Sequence, residues 1–293
     1  MNGFLLINKD KGPTSHDVVF KVRKIAKTKK VGHTGTLDPL ATGLMVVCIG
    51  NATKTADFIS SGDKAYIAEM QLGIVSDTLD ITGKLTQLPK KCFTIPEIET
   101  AILSFKGDIM QVPPMYSAKK VEGKKLYELA REGIEIERQA VPVSIKEINI
   151  CEICENTVKF HILCTKGTYI RSLIDDIGKK LSYGAVMTDL KRVQSGNFDI
   201  KNACTISELE QMESIESLLL PLETAFSEYP KITVPPDIER LIKNGIIIDL
   251  KRTEISPPSA GGYVRIYNEK NEFFALMILK NNTLKLSKSF FTS

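Results

Sequence analysis

Residues 29 to 50 read KKVGHTGTLDPLATGLMVVCIG, and they hold one carboxylate, Asp38, in a mostly uncharged loop that runs into an apolar strand. A carboxylate can attack a carbon or steady positive charge developing on it. An Asp at a turn can equally serve only to hydrogen-bond its own backbone. Other chemistries find less support. The His residues are His16, His33 and His161, with no HExxH pattern, and no GxxxxGK[ST] loop, convincing GxGxxG or GxSxG elbow occurs. The CEIC run, Cys151 to Cys154, has metal-like spacing without a second Cys or His pair, so its cysteines read as half-buried strand residues. A zinc deaminase centre lacks ligands for the same reason. What remains is carboxylate, Tyr and Arg, working without metal or organic cofactor.

The elements around Asp38 can be read from periodicity. FLLINKD is a short buried strand, and Thr14 or Ser15 caps a helix with Val18, Val22, Ile25 and Ala26 at helical spacing. Lys21, Arg23, Lys24 and Lys27 fall largely off that stripe, which makes the helix basic on its exposed side. GLMVVCIG is a second buried strand, with Cys48 a small core residue. In KAYIAEMQLG, Tyr66, Ala68, Met70 and Leu72 share one strand face. Residues 96 to 106 read as a helix. VPVSIKEINICEI and TVKFHILCT, the latter holding a second core cysteine, Cys164, form a hairpin around CENT. Next, GTYIRSLIDDIGKKL places Ile170, Leu173, Ile174, Ile177 and Leu181 on one helix face, with Thr168 as cap and Tyr169 and Arg171 in the first turn.

Strands and helices are intermixed without strict βαβ alternation, which predicts an α+β fold with a mixed, largely antiparallel central sheet flanked by helices. The 293 residues suffice for one large core plus a small companion. We place the first domain at 1–228 and a small, mostly-β C-terminal domain at 229–293, joined by the Glu-rich stretch 205–228 as a connection. In the small domain a turn at Asn268 to Asn271 separates short alternating strands. No apolar run approaches membrane-spanning length, and the N-terminus lacks the basic region of a signal peptide, which suggests a cytoplasmic protein. No hydrophobic seam calls for a partner chain, so a monomer is expected.

Charge is unevenly spread. Residues 1–30 carry eight Lys or Arg against two Asp, residues 205–228 carry six Glu and no base, and residues 231–293 carry ten bases against six acids. Clustered bases suit a polyanion, although solvated helix faces look the same. Segment 111–135 interleaves Tyr116 and Tyr127 with Lys and Arg, and reads as a mobile, basic, RNA-facing segment.

GHTGTLDPLATGLMVV closely resembles the signature of the TruB-type pseudouridine synthases, which modify uridine 55 in the T loop of tRNA. GFLLINKDKGPTSHDVV, KAYIAEMQLG with its Lys-x-Tyr, GTYIRSLIDDIG and TDLKRVQSGNF resemble further motifs of that family, in order, over residues 3 to 198. Asp10, Val193 and Asn197 depart from the pattern, which has Pro, Thr and Pro there; these departures touch turns and not the reactive set.

The resemblance implies a pseudouridine-synthase central sheet and a C-terminal domain similar in outline to the RNA-binding PUA type. It implies Asp38 as nucleophile, Arg171 as its braced counter-charge, and Tyr66 as the aromatic stacked on a flipped-out uracil, whose phenol could also take a proton from the sugar. Tyr169 and Leu190 would contact the base and His33 would occupy space near the extruded nucleotide. Lys9 and Lys64 would contact phosphate. From the residues alone, Arg171 reads as an i,i+4 helix pair with Asp175, and Tyr66 as a core strand residue. The implied partner is the T-arm stem-loop of tRNA, recognised by shape and backbone.

Three alternatives stay open at this point. One is a tRNA-binding or folding chaperone with secondary catalysis. Another is a guide-RNA-dependent subunit, disfavoured because the chain begins almost directly at the catalytic motif without a long basic tail. The third is an N-glycosidase that releases free base.

Overall fold

The computed structural model describes residues 1–121, 123–256, 258 and 261–291. Strand β1 (Gly3–Lys9) leads into helix α1 (Ser15–Ile25), and the Asp38 loop into β2 (Thr42–Ile49). The short α2 (Ala56–Ser61) precedes β3 (Lys64–Leu72). Then come α3 (Ile95–Leu103), β4 (Gly107–Gln111) and α4 (Leu126–Arg131). The hairpin of β5 (Val141–Cys154) and β6 (Thr157–Cys164) is followed by α5 (Ile170–Lys180), β7 (Ala185–Ser195) and α6 (Ile206–Glu210).

The central sheet has the order β1-β2-β7-β3-β6-β5-β4, with short strands Val31–His33 on β2 and Phe198–Asp199 on β7. Every neighbouring pair is antiparallel except β2 and β7. The expected mixed, largely antiparallel α+β sheet is what the chain forms. The parallel pairing of β2 with β7 draws residue 192 beside residue 43, although they are far apart in sequence.

Local sequence explains where the helices lie. Thr14, not Ser15, caps α1: its hydroxyl accepts from Asp17 N at 3.1 Å while the Asp17 carboxylate accepts from Thr14 N at 2.8 Å. Val18, Val19 and Val22 are buried while Phe20, Lys21, Arg23 and Lys24 face solvent. In α5, Ile170, Leu173, Ile174 and Ile177 are buried in the main core, each worth about 1.5–3 kcal/mol of burial. Its cap differs from expectation. Tyr169 occupies the N-cap position, and the Thr168 hydroxyl instead donates to Thr165 O at 2.9 Å. The helix start is held from a distance: the buried Gln111 side chain accepts from Tyr169 N at 2.7 Å and donates to Tyr169 O at 3.1 Å.

Residues 205–228 are more than a connection. Ile206, Leu209 and Ile215 enter the main core, and Phe4 and Leu220 exchange backbone hydrogen bonds at 2.9 and 2.8 Å. Beyond them β8 (Lys231–Thr233), α7 (Pro236–Lys243), β9 (Ile248–Asp249), β10 (Gly262–Tyr267), β11 (Phe273–Lys280) and β12 (Thr283–Ser289) form a second unit. Its sheet runs β8-β10-β11-β12-β9 over its own apolar cluster, with Ile238 and Ile242 of α7 packed on it. Phe226, with Phe58 of α2 and Tyr263 of β10 around it, joins this sheet to α2 of the first unit.

Cys48 and Cys164 are buried as expected, but Cys151 and Cys154 are exposed, because the hairpin of β5 and β6 projects past the core at its turn. Among the described residues no cluster of His, Cys, Asp and Glu could hold a metal ion, and no helix is long and apolar enough to cross a membrane. Of segment 111–135, Glu122 lies outside the described residues; around it Lys120–Val121 pairs with Lys124–Lys125 and leads into α4.

One glycine is indispensable to the crossing of β2 and β7. Gly43 has φ +98°, and a Cβ there would lie 2.3 Å from Arg192 O and 2.9 Å from Arg192 N. Both obstacles are backbone, so neither can swing aside. Gly43→Ala should therefore lower stability by about 3 kcal/mol or more in urea unfolding. A variant as stable as the wild type would mean that the two strands are not this close.

Candidate active site

The turn that carries Asp38 is built by other residues. Ser15, freed from capping, both accepts from Leu37 N and donates to Leu37 O, each at 2.8 Å. Ala41 N bonds Asp38 O at 3.1 Å, and Gly12 N bonds Pro39 O at 2.8 Å. The Asp38 carboxylate is thus free for another partner. Its Oδ2 lies 2.8 Å from Arg171 Nη2, with the Asp38 side chain 41% exposed and that of Arg171 only 7%. The simple turn role for Asp38 is therefore not what the geometry presents.

Arg171 is fixed by more than Asp38. Its Nη1 donates to Thr78 O at 3.0 Å and its Nη2 to Tyr116 O at 2.8 Å, while Asp80 Oδ2 lies 3.7 Å from Nη1. Asp80 is itself buried, its Oδ1 accepting from the hydroxyls of Thr78 and Thr82 and from Thr82 N. The alternative pairing of Arg171 with Asp175 does not form, since Asp175 pairs with Lys179 at 2.6 Å. A guanidinium tied to two carbonyls and two carboxylates holds Asp38 in one orientation.

Beside this pair opens a pocket of about 330 Å³, lined by Asp38, Lys64, Tyr66, Tyr169, Arg171, Leu190 and Arg192 among others. A pyrimidine base fits that space. A contiguous groove of about 680 Å³ shares Asp38 and Arg171 and is walled by His16, Tyr116, Lys125, Tyr127 and Arg131. A concavity of about 690 Å³ in the second unit, near Lys231 and Arg252, holds no comparable reactive set.

Tyr66 is 8% exposed at the pocket's base, and burial raises its phenol's pKa, against the pull of the Arg192 charge. Leu190 and Arg192 lie on β7 next to it, Arg192 being the register partner of Tyr66.

Of the two expected phosphate contacts, Lys9 is corrected, and Lys64 stands at the pocket wall with two of its three donors occupied. Lys9 is 1% exposed, and its Nζ donates to Ala41 O at 2.7 Å and Asp10 O at 2.8 Å. It braces the Asp38 loop from inside and cannot reach a phosphate outside. Lys64 lines the pocket, yet its Nζ is committed to Gly62 O at 2.6 Å and Ser60 O at 2.8 Å. Both lie on the buried faces of their strands, where carbonyl groups take the place of water around the ammonium.

His33 is not among the residues lining either cavity. Its ring stands edge-on to His16, centroids 6.1 Å apart, and its buried Nδ1 has no hydrogen-bond partner. Burial, with help from His16, lowers its pKa.

Burial also lowers the Lys64 pKa to about 8, with the Arg192 charge adding to the effect. The sign of the consequence follows from proton count. The folded form releases this proton at lower pH than the unfolded chain, whose lysine titrates near 10.4. The contribution of Lys64 to stability therefore rises as pH climbs from about 8 toward that value. Urea unfolding at pH 7 and 9.5 should show wild type gaining on Lys64→Met by on the order of 1–2 kcal/mol. A gap independent of pH would show that the amine keeps its charge in the fold.

Reading the sequence missed Asp80, Gln111 and Arg192. Arg192 lay within the quoted TDLKRVQSGNF motif, but no local signal separates it from Lys191, which points to the opposite face.

Residues 23–170 match the family described as TruB family pseudouridylate synthase (N terminal domain), and residues 171–227 match the tRNA pseudouridylate synthase B C-terminal domain. The tRNA pseudouridine synthase B of Clostridium novyi is 46% identical over 288 residues, covering 98% of this chain and 99% of that protein. That of Alkaliphilus oremlandii is 46% identical over 283 residues, or 96% of this chain and 94% of that one. Among solved structures, one of a Cbf5-Nop10-Gar1 complex aligns with TM-score 0.73 at 26% identity, over 99% of this chain and 85% of that one. One of an H/ACA RNP bound to a substrate RNA also gives TM-score 0.73, at 24% identity and the same coverage, a likeness of fold alone.

Proposed function

Because this chain belongs to the TruB family of pseudouridine synthases, we propose that it isomerises a uridine of tRNA to pseudouridine, at position 55 of the T loop. Asp38 is the nucleophile, acting on a flipped-out nucleotide. The observation that carries this reading is the Asp38–Arg171 contact of 2.8 Å at the mouth of a base-sized pocket whose base is Tyr66.

The reaction breaks the C1′–N1 bond, turns the uracil and joins C5 to C1′; C5 loses a proton and N1 gains one. The Asp38 carboxylate attacks the reacting carbon or steadies its positive charge, as carboxylates do in glycoside hydrolysis. The detached uracil bears negative charge and needs no second carboxylic acid to leave. It is held against Tyr66 and Leu190 while it turns, with Tyr169 at the pocket wall. Extruding the nucleotide costs a few kcal/mol, which stacking and hydrogen bonds to the base edge offset. The groove beyond, with Lys125, Tyr127 and Arg131, accommodates the T-arm. Residues 1–228 serve catalysis and residues 229–293 add a second, PUA-like RNA contact. The protein works in the cytoplasm as a monomer, without cofactor or obligate protein partner.

The test is purified protein with unmodified tRNA and no guide RNA, followed by carbodiimide mapping of pseudouridine and mass measurement of the RNA. The expected result is one pseudouridine at position 55 with RNA mass unchanged. Free uracil and an abasic site would make it an N-glycosidase. A requirement for added guide RNA would make it a guided subunit, and tRNA binding without product a chaperone.

A further inference from the structure

Helix α5 begins at a residue that does not cap it. Tyr169 occupies the N-cap position and makes no capping side-chain bond, yet it and Arg171, two residues on, both line the base-sized pocket. Elsewhere Thr14 and Thr205 cap their helices with their own hydroxyls. The start of α5 is set instead by Gln111, the last residue of β4 at the sheet's edge. Gln111 is 0% exposed, and an enclosed amide is costly unless it is hydrogen-bonded. Its Oε1 accepts from Tyr169 N at 2.7 Å, and its Nε2 donates to Tyr169 O at 3.1 Å. The side-chain amide stands in for a peptide group, exchanging two bonds with Tyr169 as paired residues do in an antiparallel ladder. Gln111 is not among the residues lining either cavity, so it lies behind the site and not in it.

Two further bonds stitch the same stretch to the first turn of α5. Ser172 Oγ donates to Val112 O at 3.0 Å, and Arg171 Nη2 donates to Tyr116 O at 2.8 Å. Nη2 carries two hydrogens. With one on Tyr116 O, the other is left for Asp38 Oδ2, also 2.8 Å away. The aim of the guanidinium therefore depends on how the first turn of α5 sits against residues 111–116. We propose that Gln111 is a positioning residue: by pairing with the backbone of Tyr169 it fixes that seat, and so holds Arg171 on Asp38 and Tyr169 at the pocket wall. This rests on the function proposed above and adds an uncharged residue behind its reactive set.

Losing the pair acts at one place. Tyr169 O keeps Leu173 N as a donor at 3.1 Å, whereas Tyr169 N has no other acceptor among the described residues. The helix start then gives way, while the rest of α5 stays sealed in the core by Leu173, Ile174 and Ile177. A misplacement of about 1 Å can slow a reaction about 10²-fold with no substrate contact removed.

Two measurements decide the matter. The first is single-turnover kinetics on tRNA for wild type, Gln111→Met, Arg171→Lys and the double variant. Methionine is close to glutamine in length and bulk but offers Tyr169 no donor and only a weak acceptor. Gln111→Met should slow the step about 10- to 100-fold with tRNA affinity within about threefold. In the Arg171→Lys background, where the aim is already lost, it should change the rate less than about threefold. A variant that melts earlier yet reacts at the wild-type rate, or an equal loss in both backgrounds, would overturn the proposal and leave Gln111 a support of the fold alone. The second measurement needs no activity. In amide hydrogen exchange of the free protein, Gln111→Met should speed the Tyr169 amide by about tenfold or more, with Ile174 to Ile177 keeping wild-type protection. Unchanged exchange at Tyr169 would show that the helix start is held by other groups, even in a protein that made no pseudouridine and so failed the functional test. Gln111→Glu, whose ionised carboxylate accepts from Tyr169 N but cannot donate to Tyr169 O, serves the kinetic cycle should the Met variant fail to fold.

Discussion

Asp38→Asn is expected to abolish pseudouridine formation, by about 10⁴-fold or more, while binding tRNA within several-fold of wild type. Asn is nearly isosteric but is neither charged nor nucleophilic. The loop does not depend on the carboxylate, because Ser15, Lys9 and backbone bonds shape it. Arg171 keeps Thr78 O, Tyr116 O and Asp80 as partners, so no buried charge is stranded. Carbodiimide mapping reads the activity, filter binding the affinity, and a thermal melt the fold. Loss of binding and fold together would make Asp38 a structural residue and remove it from the chemistry.

Arg171 carries the second large effect, and here stability and rate separate. Arg171→Met leaves Asp80 enclosed without its counter-charge, although hydrogen-bonded to Thr78 and Thr82. Removing one partner from a buried pair typically costs about 3–5 kcal/mol, so the variant should melt markedly earlier. Arg171→Lys restores a positive charge and part of that stability. An ammonium cannot reach both carboxylates and two carbonyls at once, so Asp38 loses its fixed orientation, and the single-turnover rate should still fall about 10²–10³-fold. A Lys variant with wild-type rate would mean that charge alone suffices and that the fork geometry is incidental.

Periodicity and turn chemistry made much of the fold legible in advance. The valine stripe of α1, the isoleucine stripe of α5, the CENT hairpin and the alternation in KAYIAEMQL all describe contacts within one element or between sequence neighbours. Asp38 was legible as an anomaly, a lone acid in an apolar context. Misreadings occurred where the deciding partner is remote. Lys9 was expected at a phosphate, but the Ala41 carbonyl that holds it, 32 residues along the chain, became its neighbour only through folding. Thr168 looked like a cap, but Gln111 of β4 supplies the bonds that fix the start of α5.

By itself, then, the amino-acid order determined the elements, the family motifs and the residue types available for reaction. It also determined that Asp38 would sit on a tight, uncharged loop. Only the tertiary structure decided that Arg171 meets Asp38 and not Asp175, that Asp80 stands behind it, and that Arg192 comes into register beside Tyr66. The reason is range. Helical and strand periods are set by a residue's near neighbours, whereas these pairs depend on the parallel join of β2 to β7 and on α5 packing across the sheet, which the whole core selects at once.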